Sequence, residues 1–210
     1  MADRKTAADS HQISFSRELI RKGTHMGALV IPGGYYLLRL DKLEMLAVML
    51  PIAVAMVLID VARLRGWWLW RSVARPVIGP LIRHHESAGD FIGATHILLS
   101  VCFTIALYDK PIAIAALVFI MVGDTFAALV GRKFGRHRWG RKSLEGSLAC
   151  LVSTVAVALL LPGLVLEVAL AGAVVATVVE GLPLKIDDNT SVPILSGLFM
   201  TLLSRLPVIG

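Results

Sequence analysis

The chain has 210 residues, 56% of them hydrophobic and only 17% charged, with a mean hydropathy of +0.75. That balance excludes a soluble globular domain and fits an all-α, polytopic integral membrane bundle. The net charge of +6 does not mark a nucleic-acid binder, because the cations fall in short stretches between apolar runs, where positive charge orients helices in a bilayer.

In chain order, residues 1–16 read as a polar tail without the apolar stretch and cleavage site of a secretory signal peptide, and residues 17–210 as a single membrane-embedded domain. About seven transmembrane segments are predicted, each wanting roughly 17–25 residues to span alone. The first, Ile20–Leu40, is interrupted by Pro32, Gly33 and Gly34, which predicts a kinked helix. The second and third are Leu43–Val61 and Ile92–Tyr108. Between them Trp67, Trp68 and Trp70 precede Arg71, Arg75 and Arg83, the composition of an interfacial helix at headgroup level. The fourth is Pro111–Val130. The fifth to seventh, Ser147–Leu161, Val165–Val179 and Val192–Leu206, are shorter. Cys102 and Cys150 lie inside apolar runs and read as buried small residues rather than a disulfide or metal framework. With a cytoplasmic N-terminus, seventeen Lys and Arg residues fall on inside segments against four outside, so that orientation is predicted. The same orientation brings the unusual polar residues to the cytoplasmic face.

Those polar residues carry the chemistry. Asp124 lies inside the fourth apolar segment, and a carboxylate in hydrocarbon is expensive enough to mark a functional site. Its bland alternative is a helix-packing carboxylate bonded to a neighbouring segment. Ala127, Ala128 and Gly131 would let another helix approach closely. In the loop that follows, Gly131, Gly135 and Gly140 permit backbone close to a ligand, and Arg132, Lys133, Arg136, Arg138, Arg141 and Lys142 offer donors to phosphate oxygens. Ser143 is placed to cap the next helix, whose free N–H groups would also favour an anion. The stretch Glu180–Pro193 supplies Glu180, Asp187, Asp188 and Asn189, hard oxygen ligands suited to Mg²⁺. A polar turn would use the same residues. Glu86 lies in RHHESAGDFIGATH, where Thr95 is predicted to cap a helix start, and His25 lies one turn after Arg21. Asp60 and Arg63, three apart, read as a local ion pair without chemistry. No P-loop, kinase catalytic loop, GxSxG elbow or HExxH occurs, so phosphoryl transfer would need another architecture.

Taken together, RKGTH at Arg21–His25, ESAGDFIGATH at Glu86–His96, GDTFAALVGRKFG at Gly123–Gly135, KSLEGSLA at Lys142–Ala149 and DDNTSVP at Asp187–Pro193 resemble the polyprenol kinase family, which includes dolichol kinase, phytol kinase and CTP-dependent diacylglycerol kinase. The resemblance spans roughly Arg21–Leu203. It implies that residues 17–210 are a lipid kinase domain transferring a phosphoryl group from a nucleoside triphosphate, commonly CTP, to the hydroxyl of a membrane lipid alcohol such as phytol, a polyprenol or diacylglycerol. Carried to matching positions, it places Asp124, Lys142, Ser143, Glu145, Gly146 and Ser147 in the nucleotide-handling motif and Asp188 and Asn189 in the later acidic one.

The expected mechanism is direct, Mg²⁺-assisted transfer, which depends on positioning and charge neutralisation more than on a covalent nucleophile. Asp124 and Asp188 are expected to hold the metal or orient the alcohol, with Lys142 and Glu145 beside them as catalytic groups. Glu180 and Asp187 are further metal ligands. Arg132, Gly131, Gly135, Ser143, Gly146, Ser147 and Asn189 would bind nucleotide, and Lys22, His25, Glu86 and Thr95 would support the substrate. A CTP:phosphatidate cytidylyltransferase is the nearest enzymatic alternative, and a small transporter using Asp124 is the alternative of another class; no internal repeat supports the latter. A prokaryotic plasma membrane, with the site facing the cytoplasm, is the expected setting.

Overall fold

The structure, a computed structural model, describes residues 22–68, 70–74, 91–140, 142–184 and 186–206. It is built almost wholly from helices. A helical stretch at 22–27 leads through a turn at 28–29 into α1 (Val30–Leu37). The break lies where Pro32 demands it. Proline has no N–H to give the carbonyl four residues earlier and its ring crowds that carbonyl, so the Ala28 carbonyl accepts instead from Ile31 at 2.9 Å. The first predicted segment is therefore two helical pieces rather than one continuous helix.

Helix α2 (Lys42–Leu64) starts in a capping box, with Glu44 N–H donating to Asp41 and Asp41 N–H to Glu44. Then come a π-helical turn (Trp70–Ala74), α3 (Gly93–Leu107), α4 (Lys110–Phe134), α5 (Leu144–Leu160), α6 (Leu166–Gly181) and α7 (Asp188–Ser204). Among the described residues, α2 with 23 residues and α4 with 25 are long and apolar enough to cross a bilayer; the third, fifth, sixth and seventh predicted segments form helices of 15 to 17 residues. One departure from an all-α chain is a ribbon of two short antiparallel strands, β1 (Arg138–Trp139) and β2 (Lys142–Ser143), in the basic stretch read from sequence as a loop. Trp139 pairs with Lys142, and Gly140, directly after Trp139, has φ 63°. Primed hairpin turns require that positive value. The interfacial reading of 64–91 can be followed only as far as Ala74, where Trp67 and Trp68 are exposed and the Arg65 guanidinium lies 5.7 Å from the centre of the Trp67 ring.

Helix α4 is the axis of the bundle. It packs against α1, α3, α5, α6 and α7, and its residues from Ile112 to Leu117 and from Phe119 to Met121 are all buried. By contrast, α2 buries one stripe, Met45, Met49, Ala53 and Asp60, and turns Leu43, Val48, Leu50 and Val54 outward. An outward face so apolar suits hydrocarbon rather than water. Cys102 and Cys150 are free and buried.

Close packing depends on two glycines in the last helices. A Cβ at Gly197 would lie 2.5 Å from the Tyr108 ring, and that ring is pinned because its hydroxyl donates to the Ile194 carbonyl at 2.6 Å. Gly172 would meet the Met200 sulfur at 2.4 Å, but methionine can swing aside. Gly197→Ala is thus expected to cost about 1–3 kcal/mol, read as a lowered thermal midpoint in detergent, and Gly172→Ala measurably less. Equal losses would contradict this account of the Tyr108 contact.

Asp60 does more than pair with Arg63. Fully buried, it accepts from Arg63 Nε at 2.9 Å, from Ile92 N–H at 2.9 Å and from the Thr95 hydroxyl at 2.6 Å. This corrects the expectation for Thr95. It stands three residues inside α3 and caps nothing itself; Asp60, from α2, ties down that helix start through space.

Candidate active site

Four helical elements and one strand bring charge together in the bundle. Lys22 and His25, nearly one turn apart, face Asp124 of α4. Lys22 is 1% exposed and donates to Asp124 Oδ2, while His25 Nδ1 lies 3.7 Å from the same oxygen. An ammonium that deep needs a carboxylate beside it, since its desolvation would otherwise cost several kcal/mol. His25 Nε2 lies 2.8 Å from Asn189 Oδ1, and Asn189 Nδ2 donates to Asp187 Oδ1 at 2.7 Å. With the amide nitrogen committed to Asp187, the Asn189 oxygen faces the imidazole, which makes Nε2 the ring's donor.

Asp187 is used as the cap of α7, its Oδ1 also accepting from Asn189 N–H at 3.0 Å. That cap sets Asp188 at the first helical position, turned toward Lys142. The Lys142 ammonium, carried by β2, donates to Glu180 Oε1 at 2.5 Å and to Asp188 Oδ2 at 2.8 Å. All three groups lie beyond the ends of the apolar segments. Burial by itself would lower the Lys142 pKa, but the two carboxylates outweigh it and hold the ammonium above the ordinary lysine range. Burial raises both the Glu180 and Asp188 carboxyls, against the pull of Lys142, with Asp124 adding to the rise.

Asp124, Glu180 and Asp188 each offer a ligand oxygen, and these atoms lie within 4.8 Å of one another. Glu180 Oε2 is buried and has no hydrogen-bond partner among the described residues. A buried carboxylate oxygen left unsatisfied calls for a partner. Hard oxygens in this number, from carboxylates on separate helices, fit Mg²⁺, which takes one or two carboxylates and fills its shell with water and phosphate oxygens. Ser147, whose hydroxyl is likewise buried without such a partner, borders the same region, since a Cβ at Gly181 would lie 3.2 Å from it.

The glycines of the motif serve helix approach. A Cβ at Gly131 would lie 2.8 Å from Ser143 Oγ and 3.3 Å from the Gly146 Cα; one at Gly146 would lie 2.8 Å from the Ala127 carbonyl; one at Gly135 would lie 2.1 Å from the Gly131 carbonyl. Helix α5 therefore enters directly against the end of α4. Ser143 caps it as expected, accepting from Gly146 N–H at 3.1 Å.

The basic stretch folds over this junction. Arg138 donates to the Gly131 and Gly135 carbonyls, each at 3.1 Å, closing the C-terminal end of α4. Trp139 Nε1 donates to the Gly181 carbonyl at 2.9 Å and so fastens the ribbon to the end of α6, next to Glu180. Glu145 is engaged with His137, through Nδ1 at 2.9 Å and the backbone N–H at 3.2 Å; those bonds, His137 first, hold its carboxyl down at about 2. Glu145 thus secures the ribbon rather than joining the three carboxylates. Arg132 ends α4, partly exposed. Glu86 and Arg141 lie outside the described residues. Sequence reasoning passed over Trp139 and His137, although a Trp-Gly-x-Lys run was the available signal for a tight turn that aims Lys142.

Comparison with known proteins gives three informative relatives. The chain is 32% identical to a CTP-dependent diacylglycerol kinase 1 of Eremothecium gossypii, over 73% of this chain and 57% of that one. It is 28% identical to the protein of the same name from Saccharomyces cerevisiae, over 68% of this chain and 58% of that one. An uncharacterised protein of Rickettsia prowazekii is 27% identical, over 86% of this chain and 91% of its own length. The chain spans little more than half the length of the two named kinases. No family profile and no solved structure matches it.

Proposed function

We propose that this chain, a member of the polyprenol and diacylglycerol kinase family, transfers the γ-phosphoryl group of CTP to the hydroxyl of a membrane lipid alcohol. The reaction joins the alcohol oxygen to the γ-phosphorus, breaks the bond between that phosphorus and the β,γ-bridging oxygen, and releases CDP and the hydroxyl proton. One observation carries the reading: three carboxylates from three helices, Asp124, Glu180 and Asp188, meet within 4.8 Å, with the ammonium groups of Lys22 and Lys142 upon them.

Asp124, Glu180 and Asp188 would hold Mg²⁺, which when bound supplies charge neutralisation for the triphosphate. Lys142, from the ribbon, is the cation best situated for the phosphate oxygens, with Arg132 at the end of α4. Asn189 fixes the His25 ring against Asp124. The alcohol hydroxyl would approach from the apolar side of Asp124. Such a site lies at the boundary of a bilayer crossed by the apolar helices, on the side the positive-inside asymmetry makes cytoplasmic. Diacylglycerol, phytol and longer polyprenols are the candidate acceptors.

The test is CTP labelled at the α or the γ phosphate, given with Mg²⁺ to protein in detergent and a panel of phytol, geranylgeraniol, dolichol, diacylglycerol and phosphatidate. Label entering an alcohol from the γ position only is expected. Label entering phosphatidate from the α position would make the protein a cytidylyltransferase, and no transfer from CTP or ATP would turn attention to transport.

A further inference from the structure

The kink at Pro32 opens a wedge between the first helical pieces and α4. A cavity of about 450 Å³ fills it, walled by Leu29, Pro32, Gly33 and Tyr36 on one side and by Ile114 and Val118 on the other. Its lining is almost wholly apolar. The one charged group at its far end, Lys110, is already committed: it donates to the Leu40 carbonyl at 2.7 Å and lies 4.8 Å from the centre of the Tyr35 ring. Pro162 and Gly163, in the α5–α6 turn, close that end.

Both walls belong to elements that also carry residues of the carboxylate site. Leu29 is one helical turn beyond His25, whose ring lies against Asp124. On α4, Val118 precedes Asp124 by six residues, about 9 Å along the axis, and Lys110 by fourteen, about 21 Å. The groove thus starts about seven carbons along a chain whose head is at the candidate acceptor position and ends roughly where a fully extended chain of 16 to 20 carbons would, at about 1.25 Å per carbon.

We infer that this groove holds the hydrocarbon chain of the acceptor lipid, with the alcohol head at Asp124 and the chain tip between Tyr36 and Pro162. The inference rests on the kinase reading and adds the place and length of the acceptor's tail. A chain seated there is removed from competition with bulk lipid only at its head, so the groove selects lipids whose head is small enough to reach Asp124. A phospholipid, whose corresponding oxygen is already esterified to a phosphate headgroup, does not fit that path.

Two measurements test it on the full chain in phosphatidylcholine nanodiscs. Diacylglycerol and geranylgeraniol, each with a diazirine near the chain terminus, are photolysed and the adducts mapped. Adducts from at least one probe are expected on Tyr36, Pro111 or Ile114, displaced by excess unlabelled alcohol but not by added phosphatidylcholine. Adducts confined to outward residues of α2 such as Leu43 and Val54, or displaced equally by phosphatidylcholine, overturn the inference. Separately, a Cβ at Gly33 would meet no atom within 4 Å, so Gly33→Leu adds bulk to the groove without a clash in the protein. It is expected to cut groove labelling at least fivefold, and to lower kcat/KM for a 20-carbon acceptor relative to a 6-carbon one at least tenfold. Val152→Leu, on the outward face of α5, should leave that ratio as it is. Unaltered labelling in Gly33→Leu overturns the groove assignment. Labelling in the groove without any phosphorylated product would instead refute the kinase reading, and turnover without groove labelling would refute only the inference.

Discussion

Asp124→Asn is expected to lower turnover by about three orders of magnitude or more while the protein still inserts and folds. The amide keeps the size of the side chain but removes the negative charge, and neutral oxygen is a poor substitute in a site proposed to balance a metal and a triphosphate. A loss of that size corresponds to about 4 kcal/mol of transition-state stabilisation. A purely structural role makes a different prediction. Asp124 is the counter-ion of buried Lys22, so if that were its whole purpose, the double variant Lys22→Met, Asp124→Asn would recover activity by removing both charges. The double variant is expected to remain inactive although more stable than Asp124→Asn alone. Undiminished turnover in the single variant, or recovery in the double one, would remove Asp124 from the chemistry.

The second large effect concerns Lys142. Its side chain is 22% exposed and lies on two carboxylates that are themselves crowded by Asp124. Lys142→Met leaves those carboxylates repelling one another, and the loss is expected to be about 2–4 kcal/mol in the presence of EDTA, somewhat below the figure for fully buried pairs. A divalent cation can take over the neutralisation. Millimolar Mg²⁺ is therefore expected to raise the thermal midpoint of Lys142→Met by several degrees more than that of the wild type, because a ligand stabilises most where it relieves most. Turnover should stay at least about a hundredfold down even at saturating Mg²⁺, since the cation proposed to face the phosphates is gone. If the variant and the wild type respond equally to Mg²⁺, then Glu180 and Asp188 are not metal ligands.

Both experiments turn on contacts that join distant parts of the chain. Lys22 and Asp124 are 102 residues apart, His25 and Asn189 164, and Lys142 and Asp188 46. Each of these residues stood out locally as a polar or charged group within or beside an apolar run. Which of them share a carboxylate could not be read, because side-chain pairing across helices depends on how the helices are rotated and offset when they pack. Glu145 illustrates the difficulty. Its place in KSLEGS grouped it with the reacting residues, yet in the fold it faces outward to His137 and steadies the ribbon.

Features that depend on neighbours along the chain were legible from the order of residues alone. Apolar run length and composition located the membrane-type helices, Pro32 located the break in the first, and Ser143 marked the start of α5. These are properties of backbone hydrogen bonding and of desolvation, which act over a few residues. The packed fold was needed to identify α5 as the helix whose approach Gly131 permits, with Gly135 and Gly146 at the same contact, to show that Thr95 answers to Asp60 from another helix, and to show that the basic stretch is a ribbon hung from Gly181 by Trp139. Each of those is a question of which atom lies within a few ångströms of another. In a bundle built around one central helix, that is set by the packing of all the helices at once and not by any one segment.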